Sequence, residues 1–180
     1  MNLLPIVLTA LIAQAPPINP ANLHLPYFDW NACPFECCVY RTWKAKAVVK
    51  ILRERRLDSQ AAFELRPGDT VSAFTGVVVT KKAGEARALR DGFVGDSRIP
   101  VKVGDVIRIL RLEGEGFWKT WLNGQIDSVE LLNLDDLTND TGWRVVSRPE
   151  FIWWVKVRTP DGRVGWTTAT ADFSGTDACG

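Results

Sequence analysis

From Trp43 onward the chain breaks into short β-branched and apolar runs separated by turn signals, among them Ala47 to Leu52, Thr70 to Thr80, Val101 to Leu112 and Phe117 to Leu122. Branched side chains lose rotamer freedom in a helix and pack well on a pleated surface, so runs of this length and spacing predict an all-β fold. Gly76, inside the second run between Ala73 and Val77, predicts a bulge or a sharp bend.

Leu65-Arg66-Pro67-Gly68-Asp69-Thr70-Val71 is echoed 36 residues later by Val101-Lys102-Val103-Gly104-Asp105-Val106-Ile107. Each copy sets a Gly-Asp turn directly before an apolar strand. The Gly supplies a permissive backbone and the Asp a local side-chain hydrogen bond. The echo predicts two related units in succession, 44–100 and 101–172, with a C-terminal tail at 173–180 that carries Cys179. Between Gln125 and Gly142, Asp127, Glu130, Asp135, Asp136 and Asp140 occur without any Lys or Arg, around Val129, Leu131, Leu132, Leu134 and Leu137. That spacing predicts a short helical or loop insertion near 125–142, capped by Asp127 or Ser128. Calcium loops need oxygens at fixed alternate positions around a central Gly; their absence makes this a solvated acidic face.

At the N-terminus, Leu3 to Ile12 form an almost unbroken apolar run followed by Ala13-Gln14-Ala15. The run is too short for a spanning helix and the small residues suit signal peptidase, so residues 1–15 read as a signal peptide cleaved after Ala15. The expected product is periplasmic or secreted, with no membrane anchor in the mature chain. Residues 16–43 form a leader rich in Pro and Cys, expected to be extended because its prolines disfavour helix and central strand. A net charge of +1 argues against a nucleic-acid partner. Export permits disulfides among Cys33, Cys37, Cys38 and Cys179. Neighbouring Cys37 and Cys38 would close a strained ring, which leaves two pairings. In either, one vicinal cysteine meets Cys33 and the other reaches Cys179. C-x-x-x-C-C with one distant cysteine lacks the paired C-x-x-C spacing of a zinc site, so no metal is expected.

Phe151 to Thr167 reads as a hairpin turning at Pro160-Asp161-Gly162. Alternation puts Trp153, Val155 and Val157 on one face and Trp154, Lys156 and Arg158 on the other. The aromatic-x-Lys-Val strand Trp154 to Val157, the turn Asp161-Gly162-Arg163 and the closing Gly165-Trp166 resemble the last hairpin of bacterial SH3-like domains, with Thr167 where such domains usually carry Val or Ile. Phe117 to Gln125, with Trp118 and Trp121, resembles a degenerate second copy. The resemblance covers roughly residues 44 to 168 and implies small SH3-like barrels, two in tandem. It also implies a non-catalytic module binding a peptide, peptidoglycan or an envelope protein. An assembly protein of the envelope without small-ligand binding is the alternative.

The one histidine, His24, lies in the leader, so no His-based zinc site or Ser-His or Cys-His pair is expected, and no cofactor. Glu113 and Glu115 near Trp118 and Trp121 leave a carboxylate-dependent glycan hydrolase as a third reading. Eight tryptophans are many for this length. Small barrels with thin cores use large aromatics to bury enough area. Trp154 beside Lys156 and Arg158 is the candidate exposed anchor, since a ring can stack on peptide or sugar while the cations meet carboxylates. Trp118 and Trp121 are the further candidate ligand-binding residues.

Overall fold

The computed structural model describes residues 22–135 and 141–179. The signal peptide expected at 1–15 and residues 16–21 of the leader lie outside them. The described chain is all-β. In order its strands are β1 (Tyr27–Trp30), β2 (Thr42–Ala45), β3 (Val49–Leu52), β4 (Ala61–Leu65), β5 (Thr70–Lys82), β6 (Gly84–Ala88), β7 (Gly92–Val94), β8 (Ile99–Val101), β9 (Val106–Gly114), β10 (Phe117–Leu122), β11 (Gln125–Glu130), β12 (Trp143–Ser147), β13 (Glu150–Arg158), β14 (Val164–Thr167) and β15 (Phe173–Ser174). A turn of 3-10 helix at Thr170–Asp172 precedes β15.

These strands form two curled antiparallel sheets and a separate two-stranded pair, β7-β8, and the two large sheets are nested where succession was expected. The larger runs β15-β2-β5-β13-β14-β3-β4, with β1 added against β5; the smaller runs β11-β10-β9-β6-β12. All strands of the smaller sheet fall between β5 and β13, which are partners in the larger one from Lys82↔Glu150 to Ser72↔Arg158. The chain leaves the first sheet at Lys82, builds the second, and re-enters at Glu150, where the two side chains also form an ion pair of 3.4 Å. A boundary at 100/101 would therefore cut the second unit. The hairpin 151–167 belongs to the first unit because its apolar faces find β5, a long-range pairing that no local signal encodes.

The Gly-Asp echo is nonetheless structural. In both copies the Gly is left-handed, with φ of 95° at Gly68 and 91° at Gly104. The Asp69 carboxylate accepts from the Arg66 N–H at 2.7 Å, and the Asp105 carboxylate from the Lys102 N–H at 2.8 Å. Gly68 N–H donates to the Ala45 carbonyl and Ala45 N–H to the Asp69 carbonyl. Gly104, Ala88 and Asp105 repeat that exchange, with every one of these bonds at 2.9 Å. Each turn follows a hairpin, β3-β4 or β7-β8, and opens a long strand, β5 or β9. The orders β15-β2-β5-β13-β14 and β12-β6-β9-β10-β11 then correspond strand for strand.

Face alternation in β13 is as read from the sequence, with Trp153, Val155 and Val157 inside the first core. There Trp43 meets Trp153 edge-on at 5.9 Å and Phe173 at 5.6 Å. In β5 the parity changes along the strand. Val71 and Ala73 face this core before the bend and Val78 after it, because Phe74 is an extra residue between the pairs Ala73↔Val157 and Thr75↔Lys156. The bulge therefore sits two residues before Gly76. Gly76 serves close approach instead: a Cβ there would lie 2.5 Å from the Tyr40 hydroxyl and 2.7 Å from the Trp154 carbonyl. The second core gathers Val94, Val101, Ile107, Ile109, Leu122, Val129 and Leu131.

Two further expectations are corrected. No helix occurs over 125–135; residues 125–130 form β11, and residues 136–140 lie outside the described ones. Asn123 and Gly124 both take positive φ, 49° and 88°, the two-residue turn that matches strand twist, and β10 closes on β11 directly beyond it at Leu122↔Gln125. The leader, too, supplies a strand. Tyr27 to Trp30 pairs with β5, Pro26 standing just before it where a missing N–H breaks no ladder. The disulfides are Cys33–Cys38 and Cys37–Cys179, with Cα separations of 5.8 and 5.6 Å, one of the two pairings left open by the sequence. The second ties the C-terminal end to the segment before β2, where Val39 N–H bonds the Thr176 carbonyl at 3.0 Å.

Candidate binding face

The outer face of the larger sheet follows from strand alternation. Directly paired residues share a face, so the rows Trp30–Val77–Trp154 and Phe28–Val79–Ile152 lie side by side across β1, β5 and β13. Lys156 continues that face, paired with Trp166, which pairs in turn with Leu52. Val77, Val79 and Trp154 are its buried floor, with Leu52, Ile152 and Trp166 packed on it.

Trp154 is 4% exposed, so it is no exposed anchor. Two elements cover it: β1 brings in the rings of Phe28 and Trp30, and the β3-β4 loop lays Arg55 over them. The Arg55 guanidinium stands 4.9 Å from the ring centres of both Phe28 and Trp30 and 5.9 Å from that of Trp166. Its Nη1 is buried and meets no hydrogen-bond acceptor among the described residues. Next to it, Arg56 is neutralised by Glu54 and Asp58 at 3.5 and 3.4 Å. The accessible rings are Trp30, Phe74 and Phe28, 54%, 41% and 40% exposed. A groove of about 480 Å³ runs here, lined by Phe28, Arg55, Leu57, Lys81, Ile152 and Trp154 among others.

Lys156 and Arg158, the two cations expected beside Trp154, are on this face but serve other rings. Lys156 Nζ is 5.4 Å from Trp166 and 6.0 Å from Phe74; the Arg158 guanidinium is 5.0 Å from Phe74. Arg55, Lys81, Lys156 and Arg158 make no ion pair with a carboxylate among the described residues. The face is thus aromatic and cationic at once, an arrangement that stacks on flat groups and attracts anions.

Trp118 and Trp121 lie on β10 of the smaller sheet and are not brought to this face. Trp118 packs against the second core and donates its indole N–H to the Leu132 carbonyl at 3.0 Å. Trp121 pairs across strands with Arg108 and Ile126. Glu113 and Glu115 are likewise apart in role. Glu115 is exposed in the β9-β10 turn. Glu113 belongs to an inter-sheet ion cluster with Arg111 at 3.2 Å and Lys119 at 3.8 Å, and accepts from the Ser128 hydroxyl. Asp29, on β1 between Phe28 and Trp30 but facing the other way, completes that cluster through Arg111 and through Lys119 at 2.9 Å. Burial works to raise the Asp29 pKa, but the bonds from Lys119 and Arg111 outweigh it and hold the carboxyl below its ordinary range.

Residues the sequence reading passed over are Phe28, Trp30, Arg55, Phe74 and Lys81. Phe28-Asp29-Trp30 carries a usable signal, aromatic alternation with period 2 two residues after Pro26. Arg55, within Arg53-Glu54-Arg55-Arg56, is locally indistinguishable from its neighbours. Compared with family models, with curated proteins and with solved structures, the chain matches none.

Proposed function

We propose that this protein is an exported, non-catalytic binding module of SH3-like build, one barrel nested in the other, that takes an anionic ligand on the outer face of its larger sheet. The ligand classes are a peptide, peptidoglycan or an envelope protein. The observation that carries this reading is the row of Phe28, Trp30, Phe74 and Trp166 rings crossed by Arg55, Lys156 and Arg158, none of these cations ion-paired with a carboxylate among the described residues. The common strand order of the two sheets and the 3-10 turn before β15 support the SH3-like part. Two disulfides fit an oxidising compartment. Co-sedimentation with purified peptidoglycan sacculi tests the wall-binding form: wild type is expected in the pellet and Trp30→Ala in the supernatant. Equal sedimentation of both would remove this face from the function.

The assembly reading draws on a different surface. Phe93, Val103, Phe117 and Val146 on the nested unit are 60%, 64%, 42% and 55% exposed, apolar side chains that a protein partner would cover. Co-purification of a protein partner, lost in Phe93→Ser, would favour it.

A further inference from the structure

We infer that the groove takes an extended acidic peptide, with Arg55 as its carboxylate anchor and Lys81 and Lys156 as flanking contacts. The inference rests on the binding-module reading and narrows it to one ligand class.

The first argument is charge. Arg55 and Lys81 line the groove beside the Arg56–Asp58 ion pair, and Lys156 and Arg158 stand over Trp166 and Phe74 on the same sheet face, beyond the groove's own lining. Among the described residues none of the four meets a carboxylate, whereas neighbouring Arg56 meets two. A bound cation would add to four like charges; a bound carboxylate would satisfy them.

The second is pre-organisation. The Arg55 guanidinium is packed over both Phe28 and Trp30, 4.9 Å from each ring centre, so its position is held while the buried Nη1 has no acceptor among the described residues. A guanidinium fixed in this way loses little freedom on receiving a carboxylate through two parallel bonds. A buried donor without a partner destabilises the unliganded protein, and a ligand oxygen reached by a small shift of the side chain would relieve that cost.

The third is length. Lys81 is the extra residue of β5 between Thr80 and Lys82, and Lys156 pairs with Thr75. Six strand positions separate the two rows, roughly 20 Å at the rise of an extended chain, which is the reach of about six peptide residues. A single small anion would engage one end only. The rings between the cations suit alternate apolar side chains of the same peptide.

The probe is a capped peptide of about eight residues alternating glutamate and tyrosine, with its glutamine counterpart as control, titrated into the full chain by fluorescence anisotropy. Expected is binding of the glutamate peptide that weakens as salt is raised, with the glutamine peptide at least about tenfold weaker. Arg55→Leu, which keeps apolar packing, and the double change Lys81→Gln with Lys156→Gln, on exposed and half-exposed positions, should each weaken binding about tenfold, and Lys102→Gln on the nested unit should not. Equal binding of the two peptides overturns the acidic-peptide assignment while leaving a groove that binds peptide. Binding of sacculi or of free phosphate without either peptide overturns it in favour of a wall glycopeptide or a point anion, and the binding-module reading survives. Binding to none of these probes defeats both.

Discussion

At the residue scale, Trp30 and Trp154, far apart in sequence but both paired to Val77 across β1, β5 and β13, exchange the roles that local pattern suggests. Trp154 sits in the aromatic-x-Lys-Val strand with Lys156 and Arg158 following it on the same face and is nearly inaccessible; Trp30, among prolines, is more than half exposed. Their substitutions should therefore separate. Trp154→Ala leaves a large void in the floor of the face and is expected to cost about 3–5 kcal/mol of stability, read as a fall in the urea midpoint. Trp30→Ala should cost less than about 1 kcal/mol and lose ligand instead. Similar stability losses for both would mean that Trp30 is part of the core. Thr167 is a smaller case of the same kind. It occupies a buried position where an aliphatic residue is expected, yet it pairs with Val155 and its hydroxyl accepts the Ala169 N–H at 3.0 Å, so its polarity is used to turn the chain.

At the element scale, the two Gly-Asp turns are the most legible feature of the sequence because all their determinants lie within four residues. Their equivalence makes a direct prediction. Asp69→Ala and Asp105→Ala each remove one charge-assisted bond to a backbone N–H, and each should destabilise by about 1 kcal/mol. The turns belong to different sheets, so the double variant should be additive to within about 0.5 kcal/mol in chemical unfolding. A marked excess would show that the turns are energetically coupled. The hairpin β10-β11 was harder to read. Its Asn123-Gly124 turn is a strong local signal, but the acidic, leucine-rich segment beyond it has helical spacing as well. Cross-strand pairing to β10 decided the matter, with Trp121 against Ile126 and Trp118 against Val129. Parity in β5 was hidden for a related reason. The residue that shifts it, Phe74, is an ordinary strand former, and a bulge is visible only against the partner strand.

At the scale of the whole molecule, the ion cluster of Asp29, Arg111, Lys119 and Glu113 joins β1 of the larger sheet to β9 and β10 of the smaller. The buried Thr80 hydroxyl, which donates to the Leu110 carbonyl at 3.0 Å, lies along the same junction. Asp29 gives this junction a pH dependence of known sign. Its folded-state pKa lies below the ordinary value, so its contribution is complete above the unfolded carboxyl's pKa of about 4 and is lost as pH falls through the lower folded value. Thermal unfolding followed from pH 7 downward should show Asp29→Asn less stable than wild type at neutral pH, by about 3 kcal/mol, with the gap closing below about pH 4. A gap that is constant with pH would assign Asp29 a packing role only.

The sequence by itself determined the strand class, the repeated turn, the two faces of β13 and the cysteine alternatives. Each depends on residues a few positions apart, where alternation, left-handed glycine and loop closure act locally. Only the tertiary structure decided that one unit interrupts the other, that Cys37 and not Cys38 reaches Cys179, and that Trp154 is covered while Trp30 is open. Those outcomes turn on which strand lies next to which. Hydrophobic burial is non-directional, so a strand's own pattern shows that a face must be covered and leaves its cover to the rest of the chain. Here β1 and Arg55 provide that cover, and with it the aromatic and cationic face.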